Sequence, residues 1–141
     1  MSILNEHHVQ IEGAHAVVIG CSNIVGKPMG IMLMNKEATV TMCHKKTKNI
    51  KQIVQMADIL IVACGVPELV KGDWVKEGAF VIDVGINYVS DSTLPKGYKI
   101  TGDVDFKEVS KKAYVTPVPG GVGPMTVSTL LSHVTIAAKN Y

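Results

Sequence analysis

Short, nearly unbroken apolar runs alternate along the chain with stretches in which apolar residues recur at helical spacing. Residues 14–19, Ala14-His15-Ala16-Val17-Val18-Ile19, stop at Gly20, and their length and β-branched content predict a buried strand. Pro28 then falls where a first helical turn tolerates proline, and 29–35 continue in helix-compatible composition. Residues 39–43 are β-prone, and 49–56 place Ile50, Ile53, Val54 and Met56 at helical spacing between Lys51, Gln52 and Gln55. Residues 59–63 predict a third strand closing on Gly65, and 80–84 a fourth closing on Gly85.

Beyond this point the pattern loosens. Residues 90–97 collect Asp, Ser, Pro and Gly and predict a surface excursion. Another short strand is expected at 98–101 with Val104, a helix at 106–112, a strand at 114–116 and a long helix over 125–140. Strand and helix repeated in this way imply crossover connections. The predicted fold is therefore α/β: one doubly wound, mainly parallel sheet of the Rossmann-like kind, occupying 1–141 as a single domain. In such sheets a ligand sits outside the carboxyl ends of the strands. Gly20, Cys43-His44, Gly65, Gly85 and Thr116 should then cluster.

Composition narrows the class. With 141 residues, 47% hydrophobic, 18% charged and a net charge of +2, disordered, collagen-like and disulfide-dense chains are excluded. No apolar run approaches the roughly 18 residues a membrane span needs, and no signal-peptide pattern opens the chain. An intracellular protein is expected. Cys21, Cys43 and Cys64 fit reduced, buried thiols and match no zinc spacing, so no metal site is expected. All 14 basic residues are Lys. Any phosphate must therefore be met by Lys, backbone amides or hydroxyls instead of a guanidinium fork.

The first loop, Gly20-Cys21-Ser22-Asn23-Ile24-Val25-Gly26, turns a strand into a helix amino terminus, where free N–H groups suit a phosphate. It departs from G-x-G-x-x-G, because Ser22 replaces the middle glycine and the last glycine falls one place later. After the second strand, where NAD-binding domains commonly carry an acid for the ribose 2′-hydroxyl, the chain reads His44-Lys45-Lys46-Thr47. This favours NADP over NAD; the alternative is a solvated basic face formed with Lys48 and Lys51. Little aromatic interleaving and the low net charge argue against nucleic acid.

Glycines in the third and fourth loops suit either a flat ring or a tight turn. Asp83, inside an apolar strand, calls for a buried hydrogen-bond partner. Asp103 and Asp105 are expected in a solvated turn. Residues 116–126, Thr116-Pro117-Val118-Pro119-Gly120-Gly121-Val122-Gly123-Pro124-Met125-Thr126, hold three glycines flanked by prolines, a composition costly in entropy for a casual connection. A backbone that approaches a bound ring closely, at a helix start capped by Thr126 or by nearby amides, explains it better.

Together these residues resemble the nucleotide-binding domain of methylenetetrahydrofolate dehydrogenase/cyclohydrolase. The likeness runs from Ile11-Glu12-Gly13 through the first loop, Val81-Ile82-Asp83-Val84-Gly85-Ile86-Asn87 and Gly102-Asp103-Val104 to the final Pro-Gly motif. It implies an enzyme that oxidises 5,10-methylenetetrahydrofolate with NADP and hydrolyses the methenyl product to 10-formyltetrahydrofolate. It also implies that Gly20, Cys21 and Ser22 meet the cofactor phosphates and ribose, with Ile24 and Val25 beside them. By the same likeness Lys45 lies at the 2′-phosphate, and Gly65, Ile86 and Thr126 line the adenine and nicotinamide ends. Pro119, Gly120, Gly121, Val122 and Gly123 would meet the tetrahydrofolate derivative. Cys21 departs from the family, some members of which carry Arg there, so phosphate recognition falls mainly to Lys45.

The family's catalytic Tyr-x-x-x-Lys belongs to an amino-terminal domain. None of Tyr88, Tyr98 or Tyr114 is followed four places on by Lys. The expectation is a fragment without that domain, with no catalytic residue of its own and inactive alone, from a cytoplasmic or mitochondrial-matrix homodimer. The rival reading is a non-catalytic dinucleotide-binding or interaction module, which leaves the Pro-Gly loop without a purpose. A reductase with the Tyr-x-x-x-Lys pair inside the nucleotide domain is opposed by the absence of that pair.

Overall fold

The structure, a computed structural model, describes residues 1–140. Five parallel strands form the main sheet: β1 (His15–Ile19), β2 (Thr39–Cys43), β3 (Ile59–Val62), β4 (Phe80–Asp83) and β7 (Tyr114–Val115), in the order β2-β1-β3-β4-β7. The middle strands are apolar but for His15 at the start of β1 and Asp83 at the end of β4, because both faces are covered. On one face Val17, Ile19, Leu60, Val62 and Val81 meet Val54 of α3 (Ile50–Val54) and Val109 of α4 (Phe106–Val109). On the other, Ala16, Val18, Ile59 and Ile61 meet Leu4 of α1 (Ser2–Glu6) and Met29 and Leu33 of α2 (Gly26–Met34). Each fully buried Val or Leu contributes about 1.5–3 kcal/mol. The two clusters hold the sheet rigid beneath its loops.

The register levels the carboxyl edge. Ile19 lies beside Cys43 on one side and Val62 on the other, and Val62 beside Asp83. Gly20, His44, Ala63, Val84 and Thr116 therefore leave the sheet along one rim. The chain goes from β1 outward to β2, then returns to place β3 on β1's other flank. The β1/β3 boundary is the topological switch point, where open α/β sheets bind ligands.

Three expectations change. A separate antiparallel hairpin pairs β5 (Asn87–Ser90) with β6 (Tyr98–Thr101), so the strand expected at 98–101 stands outside the main sheet. Val104 instead bridges Val70. The last helix, α5 (Val122–Lys139), starts inside the Pro-Gly motif, since proline at the third helical position lacks only an N–H that had no helical partner. It has no buried residue, and Val127, Leu130, Leu131, Val134 and Ile136 are each more than half exposed. Among the described residues no helix is long and apolar enough to cross a membrane, and no group of acids, histidines and cysteines is placed to hold a metal.

Candidate functional site

The first loop packs directly on the end of β3. Gly20 has φ +115°, its N–H donates to the Cys43 carbonyl at 2.8 Å, and a Cβ here would lie 2.1 Å from the Ala63 carbonyl oxygen. A Cβ on Gly26 would lie 1.9 Å from the Gly20 carbonyl oxygen. Both glycines are required because backbone meets backbone. The Ser22 hydroxyl accepts from the N–H groups of Val25 (3.1 Å) and Gly26 (3.4 Å), closing the turn into α2. The amides of Ser22, Asn23 and Ile24 take no partner among the described residues. They sit exposed beside the switch point at a helix amino terminus, a setting suited to an anion. Ile24 is 87% exposed, an apolar side chain left at the crevice mouth. Val25 and Cys21 are half-buried, and the Cys21 thiol donates to the Cys43 carbonyl.

The second loop is a tight turn. The Thr47 N–H donates to the His44 carbonyl at 2.8 Å, and the Thr47 hydroxyl accepts from the His44 N–H at 2.9 Å. Lys45 and Lys46 occupy the two central positions, exposed and without an ion pair among the described residues. Lys51, by contrast, is bonded to Asp73. The basic face of 45–51 thus divides into a paired residue and an unpaired turn hinged beside Gly20.

A cavity of about 380 Å³ opens between the end of β4 and the Pro-Gly loop. It is lined by Ile86, Pro119, Gly120, Gly121, Val122, Gly123 and Thr126, which the sequence singles out, and by Tyr88 and Ile100 of the hairpin, which it does not. Gly120, at φ +105°, and Gly123 have open space where a Cβ would stand, whereas a Cβ on Gly121 would press to 2.5 Å on the Pro117 carbonyl oxygen. The site residues therefore fall into two groups along one rim, the crevice group at β1, β2 and β3 and the cavity group at β4 and α5. Gly65 belongs to the first; it has φ +69°, and a Cβ there would meet nothing within 4 Å. Thr126 does not cap the helix. It lies inside α5, its hydroxyl donates to the Val122 carbonyl, and Gly121 at the N-cap has no side chain to offer.

Two carboxylates stand under the rim. Asp83 is buried, as its place in β4 requires, and accepts from the N–H groups of Gly85 (2.9 Å), Asp103 (3.0 Å) and Val104 (2.9 Å). Burial still holds its pKa above the ordinary carboxylate value. Asp103 is a correction: it is fully buried, not in a solvated turn. The missed signal is an acid flanked by Gly102 and Val104, since only a partnered acid survives in apolar surroundings. Asp105 caps α4, accepting from the Glu108 N–H at 3.2 Å, and pairs with Lys71 at 3.1 Å. Of the thiols only Cys43 is fully buried; Cys21 and Cys64 are half-buried. Burial, and then the Asp103 charge, push the Cys64 thiol up to about 11, so it stays protonated and unreactive near neutrality.

A parallel sheet with a glycine-lined switch point, free amides at a helix start and a lysine turn on the neighbouring strand defines a dinucleotide-binding α/β domain. Residues 1–141 match the family model described as tetrahydrofolate dehydrogenase/cyclohydrolase, NAD(P)-binding domain, and the chain belongs to that family. It is 58% identical over 140 residues to the mitochondrial C-1-tetrahydrofolate synthase of Saccharomyces cerevisiae, covering 99% of this chain and 14% of that protein. The cytoplasmic C-1-tetrahydrofolate synthase of Schizosaccharomyces pombe is 51% identical over 142 residues, covering 100% of this chain and 15% of its own length. Among solved structures, the methylenetetrahydrofolate dehydrogenase-cyclohydrolase (FolD) of Trypanosoma brucei, complexed with NADP and an inhibitor, superposes with a TM-score of 0.89 at 47% identity. That likeness covers 94% of this chain and 46% of the trypanosomal one. The chain thus spans about half of FolD and a small part of the synthases.

Proposed function

We propose that this chain is the nucleotide-binding half of an NADP-dependent 5,10-methylenetetrahydrofolate dehydrogenase that, in its full-length form, also hydrolyses the methenyl product. The observation that supports this most directly is the layout of the rim. Unpartnered amides at Ser22, Asn23 and Ile24 suit the pyrophosphate, the exposed Lys45-Lys46 turn suits a 2′-phosphate, and the cavity of about 380 Å³ under the Pro-Gly loop has room for a ring. When bound, NADP supplies the hydride acceptor. This chain's part is to hold it, with Gly20, Cys21, Ser22, Ile24 and Val25 at the phosphates and ribose. Gly65, Ile86 and Thr126 would border the rings, and residues 119–123 the folate.

Proton transfer has no candidate among the described residues of this domain. Among the described residues Asp83 is the only carboxylate lining the cavity, and it already accepts from three backbone N–H groups. The base and the folate clamp belong, in this reading, to an amino-terminal domain, and the 141-residue chain alone turns nothing over. The whole enzyme is a homodimer of the cytoplasm or the mitochondrial matrix.

Calorimetric titration with NADP and NAD, for the unsubstituted chain and for Lys45→Ala, tests the reading. NADP should bind more tightly. Lys45→Ala should weaken NADP by about five- to tenfold, the worth of one charge-assisted phosphate contact, and leave NAD unchanged. Equal weakening of both would remove Lys45 from the 2′-phosphate, and binding of neither would remove the cofactor.

A further inference from the structure

Asp103 is 0% exposed, yet among the described residues its carboxylate faces no cation. One oxygen accepts from the N–H groups of Cys64 (2.7 Å) and Gly65 (2.8 Å), just past the end of β3; the other accepts from the Asn87 side-chain amide at 2.8 Å. Its own N–H donates to Asp83 at the end of β4. A single residue thus ties the third loop, the first residue of the hairpin and the fourth strand. The glycines around it are cut to fit: a Cβ on Gly85 would lie 2.3 Å from the Asp103 carboxyl carbon, and one on Gly102 would lie 1.9 Å from an Asp83 oxygen.

We propose that Asp103 is a positioning residue for the dinucleotide crevice, fixing the β3 wall of the switch point and the hairpin base that borders the neighbouring cavity in one relative arrangement. This rests on the dinucleotide reading above. The first loop touches that wall directly, since Gly20 packs on Ala63, one residue before the amides Asp103 holds. A shift of residues 64–65 therefore reaches both sides of the crevice. A second consequence follows for Gly65: its N–H is already spent on Asp103, so it meets a ligand only through its Cα and carbonyl. The Cys64 and Gly65 amides are thus held by Asp103, whereas those of Ser22, Asn23 and Ile24 in the first loop stay open to a phosphate.

If Asp103 served stability alone, losing its acceptor pattern would lower Tm without moving NADP affinity. A positioning role requires the acceptor pattern itself, and a reciprocal exchange can test that. Asn87→Asp sets two carboxylates against each other; Asp103→Asn removes the charge and leaves two amides that bond only if Asn87 flips, turning its oxygen on the Thr101 carbonyl; the combined N87D/D103N variant restores one amide donor facing one carboxylate. Three quantities are read for each: NADP affinity by calorimetry, hydrogen exchange of the Cys64 and Gly65 amides, and Tm.

Each single variant should bind NADP about tenfold more weakly, the cost of one charge-assisted hydrogen bond, and should exchange those two amides faster. The combined variant should return to within about threefold of the unsubstituted affinity. Single variants that lose only Tm, or a combined variant no better than the weaker single one, would overturn the proposal. Should the Asp103 variants fail to fold, Asn87→Ala decides. It leaves both backbone bonds in place and should weaken NADP about threefold with faster Gly65 exchange; no change in either overturns the proposal. If the unsubstituted chain binds no dinucleotide while the amides respond as expected, the dinucleotide reading is what has failed, and the positioning role falls with it.

Discussion

The first loop and the Pro-Gly loop are both glycine-rich strand-to-helix turns on the same rim, but their glycines answer different demands. At Gly20 and Gly26 the missing Cβ is needed by the protein itself, because backbone of one segment fills the space to about 2 Å. In the Pro-Gly loop Gly121 is likewise packed on backbone, but at Gly120 and Gly123 the space is empty and borders a cavity. Glycine in the first loop lets the chain close on itself and leaves the amides of Ser22, Asn23 and Ile24 unpartnered and exposed. Glycine in the second leaves room for something the chain does not provide.

Substituting glycine by alanine in the two loops should separate these demands. Gly20→Ala should have the largest effect. It places a methyl against the Ala63 carbonyl and demands φ +115° of an L-residue, and on the order of 3 kcal/mol or more of stability should be lost. Urea unfolding of the expressed variant measures it, and a stability within about 1 kcal/mol of the parent would refute the close-packing account. Gly120→Ala should cost less, about 1–2 kcal/mol, because only the backbone conformation is strained and the methyl meets nothing.

The parallel strands, though not their order, are legible in the sequence because burial on both faces leaves runs without alternation, and 15–19, 59–62 and 80–83 are such runs. Of the hairpin only the second strand, 98–101, is: Asn87-Tyr88-Val89-Ser90 is only four residues long and half-exposed, so neither run length nor alternation marks it. The rim residues are legible as the places where apolar runs break. Asp103 is not, because its meaning lies in Cys64, Gly65 and Asn87, which are distant in sequence and converge only once β3, β4 and the hairpin base are assembled. Its neighbour Asp83 can be read from its strand alone. Thr126 falls about one helical turn from its expected place because Pro124 reads as the end of the loop, whereas it sits inside the first turn of α5.

The two edges of the sheet also differ in their response to acid. At the amino edge Asp58 accepts from Lys76 and from the His15 N–H, and these hold its pKa below the ordinary carboxylate value. The folded state then binds fewer protons than the unfolded one near that value. The stability Asp58 confers is complete above about pH 4 and is lost as the pH falls through its folded pKa. Asp83, at the carboxyl edge, is shifted upward by burial, so its contribution runs the other way and declines as the pH rises from about 4 through its raised value. Asp58→Asn should flatten the acid limb of a stability-against-pH curve from urea unfolding and leave the slope above about pH 4 unchanged. A parallel drop in both limbs would show that the amino-edge pair is not the source.

Gly123→Ala should have the smallest effect on stability and for that reason says most about the two loops. Its φ is ordinary for an L-residue and a Cβ there meets nothing within 4 Å, so the folded chain has no reason to reject alanine. Position 123 lies in the first turn of α5, where alanine is also the better helix former by roughly 0.5–1 kcal/mol, and the melting temperature should hold or rise slightly. The methyl does, however, enter the space beside the cavity that Gly120, Val122 and Ile86 line. If glycine is kept open for a bound ring, the variant should hold its stability and bind NADP, whose ring Ile86 and Thr126 would border in the same cavity, less well, a divergence that calorimetry beside a thermal melt would detect. Gly20→Ala can never show such a divergence, since there fold and site fail together; equal losses of stability and binding at Gly123 would mean that the Pro-Gly loop, too, is closed by the protein's own packing.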